Sequence, residues 1–375
     1  MDFSYSEEQT LLRNSVGRYL ADNYGFDAWR KFTRSGEGRD PAHWKQFAEL
    51  GLLAAPLPEA YGGLGGGPVD AMIVMNEFGK ALVVEPYVST VIVAGGMLAR
   101  AGSEAQKEEW LAKIATGETM IAFAFAEPTG RYNLADLRTT AKKQGGGYVL
   151  NGHKAVVLGA PWADMLLVTA RTAGGQRDEK GVSVFLVDKR AKGVSARDYP
   201  TVDGGRASEI TFENVELPAA AAIGEIDAAL ALVERVSDDA IAAHCAEAVG
   251  CMSVLTDATV AYSKTRKQFG KPIGSFQALQ HRMVDMFMNM EQSMSMTLMA
   301  TLKLNAGDAE RRKAVSAAKV QIGKAGRFVG QQAIQIHGGM GMTDELNVGH
   351  YFKRLTMIDT LYGNVDHHLK RFAAL

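Results

Sequence analysis

The apolar positions of the chain change period twice. Up to about Thr116 they recur at helical spacing. Ser6 and Gln9 stand at capping-box separation and predict a helix with Leu11, Leu12, Val16 and Leu20 on one face. Ser103 and Gln106 repeat the device ahead of Trp110, Leu111 and Ile114, and Gly117 stands where that helix should stop. From about Glu118 to Gly224 the period becomes two, and runs over 120–126, 148–150, 165–170, 182–187 and 210–212 read as strands between Gly and Asp clusters. No amphipathic helix separates them, which predicts an antiparallel barrel or sandwich rather than βαβ units. From about Ile226 the pattern is helical again, in four long stretches. Met283, Met286, Met290 and Met294 form a stripe that suits the seam of a four-helix bundle better than an acyl pocket. The expected fold is therefore α+β: a helical domain over 1–117, a β-barrel over 118–225 and a helical bundle over 226–375.

Composition narrows the function. The chain has 375 residues, enough for a large core in several layers. Its 41 basic and 42 acidic side chains leave a net charge of −1, which gives no reason to expect a nucleic-acid or anionic-membrane partner. No apolar run reaches membrane-spanning length and the start of the chain reads as no leader, so a cytoplasmic protein is expected. The two cysteines, Cys245 and Cys251, are too few for a disulfide framework or a zinc site and read as buried small residues. No metal-ligand set stands out.

The candidate chemistry lies in glycine-punctuated stretches. RKQFGKPI runs from Arg266 to Ile273 and QIHGGMG from Gln335 to Gly341, with TLYGNVDHH following. PEAYGGLGGG, from Pro58 to Gly67, lacks the Lys-Ser/Thr of a P-loop and reads as an interhelical turn. No GxGxxG occurs, which argues against a Rossmann nucleotide site. Together with FENVELP at Phe212 to Pro218, these stretches resemble the flavin-dependent acyl-CoA dehydrogenases from end to end, in the order helical domain, barrel and bundle.

That resemblance implies FAD held across a subunit boundary, with Arg266, Phe269, Gln335, Gly338 and Gly339 as its contacts. Arg266 offers a planar cation suited to a pyrophosphate. Phe269 offers a face to the ring system, and the glycines allow close approach of the ADP portion. The implied reaction removes a proton from the α carbon and a hydride from the β carbon of an acyl thioester. Three requirements follow: an aligned flavin, hydrogen bonds to the thioester carbonyl, and a carboxylate base.

Two of those features depart from the family pattern. Where the family has a Thr, a Ser and Trp-Ile-Thr against the flavin ring, this chain has Ala126, Tyr132 and Val156-Val157-Leu158. Where it commonly writes Tyr-Glu-Gly with Glu as base, this chain has Leu361-Tyr362-Gly363. The alternative base position, early in the first bundle helix, falls on Ala240, and neighbouring Asp239 is turned about 100° away on a helix. Asp366 matches an ordinary polar position. Tyr362, with an ordinary pKa of about 10, is a poor base at neutral pH. The catalytic residue is therefore left open.

Taken together, the resemblance implies a degenerate small subunit of a heteromeric acyl-CoA dehydrogenase, closest to the pimeloyl-CoA dehydrogenase type. Such a subunit would lend FAD contacts to a second acyl-CoA dehydrogenase subunit, act on an acyl-CoA, and pass electrons to electron-transfer flavoprotein. The other readings are a self-sufficient homotetramer using Asp239 or Asp366, a flavin oxidase with an aspartate base, and a structural subunit without flavin.

Overall fold

A computed structural model describes residues Ser4–Leu375. The chain divides into two compact units, one of helices and one built on a β-sheet. The helical unit takes the chain up to Arg34, then Pro68–Val83 and Ile241–Leu375, and the sheet unit takes Ser35–Gly67 and Val84–Ala240.

In the helical unit the first helix, Glu7–Asn23, opens with the expected capping box: the Gln9 backbone N–H donates to Ser6 Oγ at 3.1 Å, and the Ser6 N–H to Gln9 Oε1 at 3.2 Å. Val16 and Leu20 are buried as expected, whereas Leu11 is 62 % exposed and lies off the buried stripe. The bundle is built from helices Leu230–Thr265, Gln277–Lys303, Asp308–His337, Val348–Thr360 and Val365–Ala373. Three are long and two short, so the expectation of four long helices is met only in part. The first starts in the sheet unit and continues through the helical one. In the methionine stripe Met286 is fully buried and Met283, Met290 and Met294 are half-buried, as a bundle seam requires. Cys245 and Cys251 are both buried with free thiols, and burial pushes the Cys245 thiol up to about 12.

In the sheet unit, Ser103 caps its short helix with the predicted box. The turn after Pro58 closes on itself through backbone bonds from Gly63 to Pro58, Gly65 to Leu57 and Gly66 to Ala55, so its amides are used internally rather than for phosphate. Eight strands form one sheet: β1 (Ile121–Ala124), β2 (Thr140–Gln144), β3 (Gly147–Leu158), β4 (Met165–Arg171), β5 (Val182–Asp188), β6 (Val194–Pro200), β7 (Arg206–Pro218) and β8 (Ala222–Ile223). The ladder runs β6-β7-β3-β2-β4-β5-β8, with β1 added beside β4. Most pairs are antiparallel, but β1 and β2 both run parallel to β4, which corrects the all-antiparallel expectation. The core under the sheet comes from alternate residues of several strands, among them Leu150, Leu166, Phe185, Ile210 and Phe212.

Candidate functional site

The five residues expected to touch FAD all belong to the helical unit. The helix ending at Thr265 gives way to a two-stranded hairpin, Lys267–Gln268 with Lys271–Pro272, that begins beside Arg266. Its backbone is fixed at both sides of Arg266: the Arg266 N–H donates to the Tyr262 carbonyl at 2.9 Å, and the Arg266 carbonyl accepts from Ile273 at 2.8 Å. Phe269 stands at the turn with φ 53° and is 91 % exposed. A left-handed conformation is uncommon for a bulky residue, and the ring meets Phe276 edge-on at 6.1 Å while keeping most of its surface in solvent.

The second stretch ends the helix Asp308–His337. The Tyr262 ring stacks on the His337 ring at 4.4 Å, and this contact brings the end of one helix against the end of the other. Arg266 and Phe269 are thereby placed on the same part of the unit as Gln335, Gly338 and Gly339. All five are exposed. Gly338 has φ 61°, and a Cβ built on Gly338 or Gly339 would meet nothing within 4 Å, so the backbone there lies open to a ligand. An exposed cation, an exposed ring, an amide side chain and bare backbone are the donor set that an ADP-pyrophosphate group calls for. These residues fit FAD.

The barrel positions behave differently. Ala126, Tyr132 and Leu158 are half-buried and Val156 is exposed. Val156 lies in a bulge of β3 between Lys154 and Val157 and has φ 51°, a conformation a β-branched residue rarely adopts. Across from the bulge, Glu209 accepts from His153 Nε2 at 2.8 Å, from the Tyr199 hydroxyl at 2.9 Å and from the Val156 N–H at 3.4 Å. An ionised carboxylate thus occupies the surface beside Val156, where the resemblance puts a flavin-contacting tryptophan. Beneath it, the Lys154 ammonium meets Glu127 at 2.7 Å in a fully buried pair that also engages Thr169. Burial brings Lys154 down to about 8 despite that partner.

None of the three base candidates is arranged as one. Asp239 is tied on both oxygens, to Arg100 Nη2 at 2.9 Å and Arg235 Nη2 at 3.3 Å, and Ala240 beside it is fully buried. Asp366 is exposed in the first turn of the helix Val365–Ala373, whose cap is Asn364. Burial pushes the Tyr362 phenol above its ordinary value, which keeps it protonated.

The loop that carries Tyr362 is held from below. Lys319 Nζ donates to the carbonyls of Ile358 at 2.6 Å, Asp359 at 3.2 Å, Leu361 at 2.7 Å and Gly363 at 2.9 Å. His368 Nε2 adds a bond to the Tyr362 carbonyl at 3.1 Å. Tyr362 has φ 55° and Gly363 φ 118°, and a Cβ at Gly363 would come within 2.5 Å of the His367 ring. A glycine is required there.

Sequence reasoning missed the polar cluster beside this loop. Glu247, on the helix Leu230–Thr265, receives a two-pronged bond from Arg354, Nε to Oε1 at 2.5 Å and Nη2 to Oε2 at 2.8 Å. His244 Nδ1 meets Glu247 Oε2 at 2.9 Å, and the His244 ring lies 6.1 Å from that of Tyr362. Burial alone would raise the Glu247 pKa, but Arg354 and His244 bring it down to about 2. Burial also holds His244 below its ordinary value, so it is neutral at pH 7. The three-residue spacing of His244 and Glu247 on an otherwise apolar helix face was the one signal available. Arg354 carried none.

Models of the N-terminal, middle and C-terminal domains of acyl-CoA dehydrogenase match residues 6–118, 122–215 and 219–374. The chain is similar to the probable acyl-CoA dehydrogenase YngJ of Bacillus subtilis, at 31 % identity over 93 % of this chain and 92 % of that one. Among solved structures it resembles the ChsE4-ChsE5 complex of Mycobacterium tuberculosis, with a TM-score of 0.90 and 26 % identity over 100 % of this chain and 98 % of that one. It also resembles the FAD- and proline-bound PigA, with a TM-score of 0.92 and 27 % identity over 100 % and 98 % of the two chains. Among the described residues no helix is long and apolar enough to cross a membrane, and no cluster of His, Cys, Asp or Glu is arranged for a metal. With all three domains in order and a relative above 30 % identity along nearly the whole chain, the protein belongs to the acyl-CoA dehydrogenase family.

Proposed function

We propose that the chain is the FAD-lending subunit of a heteromeric acyl-CoA dehydrogenase. Arg266, Phe269, Gln335, Gly338 and Gly339 would hold the ADP-pyrophosphate part of an FAD seated in the barrel of a second acyl-CoA dehydrogenase subunit. When bound there, FAD supplies the hydride acceptor for α,β-dehydrogenation of an acyl-CoA. This chain supplies a guanidinium, an exposed ring and open backbone, and its part is to bind and orient. The observation that carries the reading is the Tyr262–His337 stack, which joins the two helix ends that bear these exposed residues.

Two further observations support the division of labour. In this chain's own sheet unit, the ring-contact positions hold Ala126, Val156 and Leu158, with the Glu209 carboxylate beside Val156. On the helix Gln277–Lys303, Val284, Phe287, Met288 and Leu302 are each about half exposed, an apolar face that a partner chain would cover. A degenerate small subunit of the pimeloyl-CoA dehydrogenase type, in a cytoplasmic complex that passes electrons to electron-transfer flavoprotein, is the form this reading takes.

The test is a visible spectrum of the chain purified alone and co-purified with a second acyl-CoA dehydrogenase subunit from the same genome. Little FAD in the chain alone and one FAD per pair of unlike subunits are expected. A flavin-saturated homotetramer of this chain, active on an acyl-CoA, would overturn the proposal.

A further inference from the structure

The turn that carries Gly338 and Gly339 is held by residues far from it in sequence. We propose that Arg34 and His350, acting on Asp344, are positioning residues that set this turn for the ADP-pyrophosphate of FAD. The inference rests on the FAD-lending reading and adds to it a device outside the five expected contacts.

A Cβ at Gly338 or Gly339 would meet nothing within 4 Å, so the place of this backbone is set by the residues that follow it. Gly341 is buried, and a Cβ there would come within 2.9 Å of the Ile334 carbonyl, which seats it on the helix Asp308–His337. The Met340 carbonyl accepts from the Thr343 N–H at 3.2 Å and from Thr343 Oγ1 at 2.9 Å. Asp344 comes next, and its partners lie outside the turn. Arg34 makes an ion pair with Asp344 Oδ2. His350 Nε2 meets Asp344 Oδ1 at 3.2 Å and the Asp344 carbonyl at 3.3 Å. Facing two acceptors, Nε2 carries the ring proton and donates it to them. Both carboxylate oxygens and the backbone carbonyl of one residue are thereby engaged.

The two donors stand on one helix, Phe26–Thr33. The His350 ring is buried, 5.3 Å from that of Phe26 and 4.9 Å from that of Trp29. Trp29 is itself buried and donates from Nε1 to the Leu82 carbonyl at 2.8 Å. Arg34 directly follows the last residue of the same helix. An exposed ion pair alone would contribute little. Here the second donor is buried and already fixed, which lowers the entropy cost of holding Asp344. A glycine turn with open backbone has many conformations to lose when a ligand binds, and a clamp at Asp344 removes part of that loss beforehand.

The test uses the complex co-purified with a second acyl-CoA dehydrogenase subunit, and reads the FAD dissociation constant beside the melting temperature. Asp344→Ala should weaken FAD binding about three- to tenfold, the range for one hydrogen bond of ordinary net strength, with the melting temperature nearly unchanged. His350→Phe, which keeps a ring against Phe26 and Trp29 but loses the donor, should weaken it similarly. Arg34→Met should weaken it about threefold and Arg34→Lys should restore it, a rescue by charge that a general loss of packing would not show. Arg34→Met added to Asp344→Ala should have no further effect, because both act on one contact. In the chain alone, hydrogen exchange at the amides of 340–344 should quicken in Asp344→Ala by a similar factor. FAD binding unchanged in folded Asp344→Ala, or unchanged exchange in that turn, would overturn the inference. If Asp344→Ala does not fold, Arg34→Met decides, since more than half of the Arg34 side chain is exposed. Arg266→Ala tells the two failures apart. If it also keeps its FAD, the FAD-lending reading falls and takes this inference with it; if it alone loses FAD, only the inference falls.

Discussion

Arg266→Ala separates a cofactor handle from a surface cation, because the structure removes the usual ambiguity of such a mutant. The Arg266 side chain is exposed and joins no ion pair among the described residues. The hairpin around it is fixed by backbone bonds to Tyr262 and Ile273, which alanine keeps. Its removal should therefore change the stability of the chain by no more than about 0.5 kcal/mol. In the complex, a guanidinium on a pyrophosphate makes two charge-assisted bonds, each worth roughly 1.5–3 kcal/mol at best. Allowing for partial solvent access, a loss of about 2–4 kcal/mol is expected, or a roughly thirty- to thousandfold weaker hold on FAD. The assay is FAD retained by the co-purified complex after ultrafiltration, followed by titration to recover the dissociation constant. Arg266→Lys should fall between, since an ammonium keeps the charge but not the planar fork. An alanine complex with unchanged flavin retention and an unchanged melting temperature would show that Arg266 holds no FAD.

Glu247→Gln should destabilise the chain by roughly 3–5 kcal/mol, because it leaves the largely buried Arg354 guanidinium without its counter-charge, and urea melts would measure this. The same carboxylate predicts an acid limit. Its folded pKa of about 2 lies below the ordinary 4.5, so its stabilisation is complete above about pH 4.5 and is lost as pH falls towards 2, by about 3 kcal/mol in all. Melts against pH should lose that slope in the Glu247→Gln variant. Lys319→Met should cost roughly 2–5 kcal/mol by stripping the donor from four carbonyls, two of them in buried bonds, and limited proteolysis should then cut within 358–363.

Local signals were the legible part of the fold. The Ser6–Gln9 and Ser103–Gln106 boxes are written within four residues each and form as expected. The apolar strand runs also hold, because alternating burial leaves its mark in sequence. The strand Val194–Pro200 is not legible, since its residues are mostly exposed and nothing in its polarity separates it from a loop. The parallel sense of β1 is equally hidden, as pairing direction depends on strands far apart in the chain. Leu11 falls outside the expected face because the cap fixes where a helix starts, not which face the rest of the unit covers. At the site, Arg266 and the glycines are legible through motif spacing. The Tyr262–His337 stack that joins them, and the Arg354–Glu247 bond across 107 residues, exist only once the helices have packed.

The two groups of residues in the helical unit carry opposite energetic signatures, and that contrast bears on what each is for. Arg266, Phe269, Gln335, Gly338 and Gly339 are exposed and cost the fold almost nothing. His244, Glu247 and Arg354 are the reverse. Burying a carboxylate, a guanidinium and an imidazole costs several kcal/mol in desolvation, and their mutual bonds return that at best in part. Well-packed apolar side chains of the same volume would hold those helices as well or better. Lys319 needs no such explanation, since its four bonds all go to backbone carbonyls of the loop it supports. The His244 cluster supports no loop in that way. Arg354 engages both Glu247 oxygens, and His244 adds a third bond at Oε2. That contrast separates two kinds of test: loss of an exposed residue should be read in FAD retention, and loss of a buried one in the stability of the fold.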